Sequence, residues 1–71
     1  MQKVQFQLKG DYIELLQLLK ALDIAQTGGH AKMIVEDEQI IRDGDIELRK
    51  RAKIKRGELI QIGTDILVEI T

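Results

Sequence analysis

A chain of 71 residues with a formal charge of −1 has room for one small domain, residues 1–71, and no second core. It contains no cysteine and no serine, which excludes disulfides, thiolate chemistry, Cys-based zinc sites and a Ser-His-Asp triad. No apolar run approaches the ~20 residues that a membrane-crossing helix needs. No signal-like hydrophobic segment opens the chain, so a cytoplasmic protein with no membrane partner is expected.

The elements follow from periodicity. Phe6 and Tyr12 are the only aromatics, so the core must be built from Leu, Ile and Val. Lys3 to Leu8 alternates apolar and polar residues, which predicts a strand with one buried face. Lys9-Gly10-Asp11 breaks it. Asp11 and Glu14 have capping-box spacing and predict a helix over Tyr12 to Leu22. On that helix Tyr12, Leu15, Leu16, Leu18, Leu19 and Leu22 fall within about 160° of arc. Thr27 is placed to cap a second helix running to about Glu36. There Ala31, Ile34 and Val35 share one face, Lys32 and Glu36 share another, and Met33 belongs to the core or its rim. Two short helices with a tight link make a helical hairpin.

Beyond Asp37, Asp43-Gly44 signals a tight turn between strand candidates Gln39–Arg42 and Ile46–Arg49. Alternation puts Ile46 and Leu48 on one side and Glu47 with Arg49 on the polar side. Leu59–Ile62 and Ile66–Ile70 complete the strands. The pattern predicts an α+β domain in which a helical hairpin packs on a small, mostly antiparallel sheet. Phe6, Leu15, Leu19, Leu22, Ile34, Ile54 and Ile62 are the expected core.

The net charge conceals a segregation. Arg49, Lys50, Arg51, Lys53, Lys55 and Arg56 are six of the eleven basic residues and lie in one uninterrupted run, while nine of the twelve acids precede Arg49. Such a run suits phosphate binding through charge and paired hydrogen bonds; the plainer alternative is a solvated edge that protects the sheet. Thr27-Gly28-Gly29-His30-Ala31-Lys32 is a second candidate. A helix start bared by two glycines can take a phosphate with Lys32 one turn away, or can simply be a tight helix start. It is not a P-loop. His30 is the only histidine and has no second ligand at helix spacing, so it is read as a surface or half-buried residue and not as a metal site. Glu36, Asp37, Glu38, Asp43, Asp45 and Glu47 lack the order of a calcium loop and read as a solvated acidic surface. No cofactor, no metal, no small-molecule substrate and no catalysis is expected.

Four segments together carry a resemblance. They are Ile13-Glu14-Leu15-Leu16-Gln17-Leu18-Leu19-Lys20, Gln26-Thr27-Gly28-Gly29-His30-Ala31-Lys32, Arg49-Lys50-Arg51 with Lys53-Ile54, and Arg56-Gly57-Glu58-Leu59-Ile60. In this order, over residues 13–63, the chain resembles the S4 RNA-binding domain, or alpha-L motif, in its small single-domain bacterial branch of YaaA/YbcJ-like proteins. The resemblance implies non-catalytic binding of structured RNA, such as ribosomal RNA or a ribosomal particle. Its RNA face would include Lys20, Gly28, Gly29, His30, Lys32, Arg49, Lys50, Arg51 and Lys53. Thr27 beside the glycines, and Lys55 and Arg56 from the basic run, complete the candidate set. The chain departs from the family at Thr27-Gly28, where Ser-Arg is common, and at Asp37, Glu38 and Arg42. It also carries one residue more than the common pattern between Glu36 and Arg49, which a bulge could absorb. The rival expectation is a small adaptor whose basic face meets an acidic protein partner.

Overall fold

The computed structural model describes residues 1–71. The chain runs β1 (Gln2–Phe6), β2 (Ile13–Glu14), α1 (Leu15–Ala21), α2 (Gly28–Glu36), β3 (Ile40–Arg42), β4 (Asp45–Ile46), β5 (Lys53–Ile54), β6 (Leu59–Ile62) and β7 (Ile66–Ile70). Five strands form a sheet in the order β1-β7-β6-β3-β4, and β2 pairs with β5 in a separate two-stranded ribbon. Every pairing is antiparallel except β1 with β7. The α+β architecture of a helical hairpin and a mostly antiparallel sheet is therefore present, with one parallel edge.

Alternation along the strands builds the core. Ile40, Ile60, Ile62, Val68 and Ile70 point inward and join Leu15, Leu18, Leu19, Ala31 and Val35 in one apolar cluster. Of the expected core, Leu15, Leu19, Ile54 and Ile62 are buried, while Phe6, Leu22 and Ile34 are partly buried against it. Met33 is not core; it is 61% exposed.

Three local expectations need correction. The first helix does not start at Tyr12. Ile13 and Glu14 are taken by β5, and Glu14 occupies the cap position without a capping side-chain bond. The capping box of Asp11 and Glu14 does not form, because the leading N–H groups find other acceptors: Leu15 N–H donates to the Ala52 carbonyl at 2.9 Å and Leu16 N–H to that of Lys50 at 3.3 Å. Tyr12, freed from the core, lies under the Lys53 ammonium, 5.0 Å from the ring centroid. Second, the strand before Arg49 ends at Ile46, and the chain turns at Lys50 and Arg51, closed by a bond from Ala52 N–H to the Arg49 carbonyl. Third, the polarity of that segment is inverted. Glu47 is buried, whereas Ile46 and Leu48 are about half exposed.

Other local signals hold. Thr27 caps α2 by accepting the His30 N–H at 3.1 Å. Asp43 and Gly44 both have positive φ, 54° and 83°, as a two-residue hairpin turn with the twist of its strands requires.

Leu19 is fully buried where α1 meets the sheet-side core. Leu19→Ala is expected to destabilise the fold by about 2–5 kcal/mol. Urea titration measures this, and a loss below about 0.5 kcal/mol would contradict the packing.

Candidate nucleic-acid interface

Residues 47–52, which link β4 to β5, bring the basic run onto a frame of ion pairs. Arg42, at the end of β3, is the anchor. Its Nε donates to Glu58 Oε1 at 2.6 Å, its Nη1 to Glu47 Oε1 at 3.0 Å, and its Nη2 to the Lys53 carbonyl at 2.9 Å and Glu58 Oε2 at 3.2 Å. Glu47 in turn holds Arg49. Its Oε2 accepts the Arg49 Nε at 3.0 Å and the Arg49 backbone N–H at 3.1 Å, and its Oε1 accepts Arg49 Nη2 at 3.1 Å. Glu58 also takes the Lys55 N–H, at 2.6 Å. Across the ribbon, Arg51 bonds Glu14 through both nitrogens of its outer face at 3.3 Å.

The result is one open basin of about 510 Å³ lined by Arg42, Arg49, Arg51, Ala52, Lys53 and Lys55. Five cations against the carboxylates of Glu14, Glu47 and Glu58 leave a local surplus of two positive charges. The side chains of Arg49 and Arg51 are 76% and 80% exposed despite their ion pairs, so both keep donors for a ligand. No group of three or more His, Asp or Glu side chains gathers as a metal site would require.

The other candidates fall elsewhere. Lys50 turns away from the basin to Glu36, at 2.9 Å. Gly28, Lys32 and Glu36 follow one another at helical spacing on α2, so this row runs from the helix start to the Lys50 contact. The basic loop thus meets the C-terminal end of α2, and Thr27, Gly28, Gly29 and His30 lie about 12 Å away at the other end. A Cβ added at Gly28 would meet nothing within 4 Å, so the space above the helix start is open. His30 is tied locally, its Nδ1 accepting the Gln26 N–H at 3.3 Å. Lys20 is exposed on the last turn of α1. Arg56 donates to the Leu8 carbonyl at 2.9 Å and does not line the basin. Arg42 was missed by sequence reasoning because it stands outside the charge run, at an apolar position of an alternating strand.

The ion pairs set the acid titration of the site. Hydrogen bonding from the Arg49 side chain, opposed by desolvation and aided by the Arg49 N–H and by Arg42, lowers the Glu47 carboxyl from 4.5 to about 2. Burial alone would raise Glu58, but Arg42 and the Lys55 N–H outweigh it, and its carboxyl also lies below the usual range. Both groups have depressed folded-state values. The contribution of Glu47 is complete above the unfolded value near 4.5 and is lost as the pH falls toward the folded value of about 2; that of Glu58 has the same sign. For Glu47 the shift corresponds to at most ~3 kcal/mol, and to less because water screens the exposed Arg49. Stability from urea titration is expected to decline steadily below pH ~4.5, and Glu47→Gln is expected to flatten that decline. A parent and a Glu47→Gln variant with the same pH slope would contradict the clasp.

The family model described as "S4 domain" matches residues 6–71. YbcJ of Escherichia coli strain K12 is 36% identical over 52 residues, which cover 73% of this chain and 74% of YbcJ. YbcJ of Shigella flexneri matches to the same extent. The solution structure of Escherichia coli YbcJ, described as revealing an alpha-L motif involved in RNA binding, superposes with a TM-score of 0.69 at 32% identity, covering 97% of this chain and 90% of that one. Family model, sequence relative and fold agree, and the chain belongs to the S4 domain family.

Proposed function

We propose that the chain acts as one S4-type RNA-binding domain, without catalysis, and that the basin seats the phosphate backbone of a structured RNA such as ribosomal RNA. The observation that carries this reading is the convergence of Arg49, Arg51, Lys53 and Lys55 around one open basin, in a chain whose sequence and structural relative YbcJ is tied to RNA. Each neutralised phosphate releases condensed counterions, so affinity falls steeply with salt. Shape and backbone contacts dominate, because the bases of an RNA duplex lie in a groove too deep and narrow for side chains to read. Lys50 and Lys32 extend the surface along α2, and Lys20, Thr27, Gly28, Gly29 and His30 form a separate flank. Arg56, exposed but bonded through one N–H to Leu8, stands outside the basin and would add a peripheral contact. A protein held this way works in the cytoplasm, where structured RNA is abundant.

The test is fluorescence anisotropy with a labelled RNA hairpin at several salt concentrations. Replacing Arg49 and Arg51 together by Ala is expected to weaken binding and to flatten the salt slope by up to about two phosphate units. Lys3→Ala, on the far side of the sheet, should leave both unchanged. A folded double variant that binds like the parent at every salt concentration would remove the basin from the interface. A parent that binds no structured RNA at low salt would remove the RNA reading.

Glu47→Gln separates charge from geometry. Counting charges, loss of an acid from the basin strengthens RNA binding. If the acid holds Arg42 and Arg49 in position, its loss weakens binding, by about tenfold for ~1.4 kcal/mol of lost preorganisation. Weaker binding by a folded Glu47→Gln protein is the expected result.

A further inference from the structure

The sheet has a second face that the helices do not cover. Reading across the strands, Lys3, Leu67, Gln61, Ile41 and Ile46 stand side by side in register on it. Leu59 stands in the next row, opposite Glu69. Leu59 is 50% exposed, Ile46 48% and the adjoining Leu48 55%. Two shallow hollows flank Leu59. One, of about 290 Å³, is walled by Ile41, Leu67 and Asp43; the other, of about 110 Å³, by Leu67, Glu69 and Lys3. Asp43 and Glu69 enter none of the ion pairs; Glu69 accepts the Gln5 Nε2 at 3.0 Å, and Lys3 is the one cation in the row.

We propose that this outer face, with Ile41, Ile46, Leu59 and Leu67 at its centre and Asp43 and Glu69 at its margin, docks a basic amphipathic segment of a partner protein. Apolar residues in contact on a sheet exposed to water mark an interaction surface when polar groups rim them. The sign of the rim selects the partner. Asp43 and Glu69, both outside every ion pair, outnumber Lys3; such acids repel a phosphate backbone and attract Lys or Arg, and the face has no aromatic platform on which a base could stack. A second copy fits poorly. A two-fold axis along β6 would set Leu67 over Ile41, but, with the register of β3 and β6 extended by one residue, it would also set Glu69 over Asp43, acid on acid. Five strands spaced ~4.8 Å apart give a face about 20 Å wide, which places the contact in the weak, transient class.

The experiment is an amide chemical-shift titration of the full chain with a short synthetic peptide of alternating leucine and lysine, and with a second peptide of alternating leucine and glutamate. The lysine peptide is expected to shift Ile41, Ile46, Leu59 and Leu67 and to bind at least ~10-fold tighter than the glutamate peptide. Leu59→Ser, at an exposed position the fold does not need, should weaken it by a similar factor. The Arg49→Ala/Arg51→Ala protein should bind it like the parent, which keeps this surface distinct from the basin. Equal binding of the two peptides, or binding indifferent to Leu59→Ser, would overturn the proposal. So would sedimentation of the protein alone as a dimer that Leu59→Ser dissolves, which would make a second copy the occupant.

Discussion

The basic loop is organised around one buried carboxylate. A charge taken out of water must be repaid by bonds of good geometry. Glu47 has them: two donors on each oxygen, from Arg42 and Arg49. Arg42 in turn commits its three nitrogens to Glu47, Glu58 and the Lys53 carbonyl. This acid–arginine–acid chain fastens the β3–β4 hairpin to the turn before β6. It also divides labour between the arginines. Arg42 has little left to offer a ligand and forms the floor, while Arg49, mostly in water, is the group that can reach out.

The same loop starts a helix. The carbonyls of Lys50 and Ala52 satisfy the N–H groups of Leu15 and Leu16, which no side chain caps. Leaving such groups unpaired would penalise the helix end. The backbone of residues 47–52 is therefore held from the side of α1, and its side chains are held from the side of Glu47 and Glu14. A loop tied at both levels presents its cations in a fixed arrangement, which lowers the ordering entropy lost on binding.

The elements legible in the sequence were those specified by local chemistry. The Thr27 cap, the Asp43-Gly44 turn, the leucine face of α1 and the alternation of β6 and β7 all follow from neighbours in the chain. Part of what was not legible depended on partners far away in sequence. The start of α1 was misplaced because its acceptors, Lys50 and Ala52, lie more than thirty residues downstream. A nearer contact hid the polarity of Ile46 to Leu48: an acid is ordinarily the exposed member of an alternating pair, and Arg42 and Arg49 together hold Glu47 in the buried place. The candidate site was read in the same uneven way. Charge density alone located Arg49, Arg51, Lys53 and Lys55. It could not show that the intervening turn sends Lys50 to Glu36, that Arg56 lies outside the basin against Leu8, or that the start of α2 lies a helix length from the loop.

The acids in and around the basin bear on how such a surface discriminates. A chain with a net charge of −1 exerts little long-range pull on a polyanion. Each exposed arginine already has a carboxylate, so a single phosphate gains little by replacing it. The gain grows only when a backbone brings several phosphates to Arg49, Arg51, Lys53 and Lys55 together, since the surplus of positive charge belongs to the group and to no one pair. Flexible chains lose entropy in meeting that condition, whereas a folded RNA meets it with phosphates already spaced. On the proposed function, partial neutralisation of the basin would therefore favour structured over unstructured RNA without any contact that reads a base.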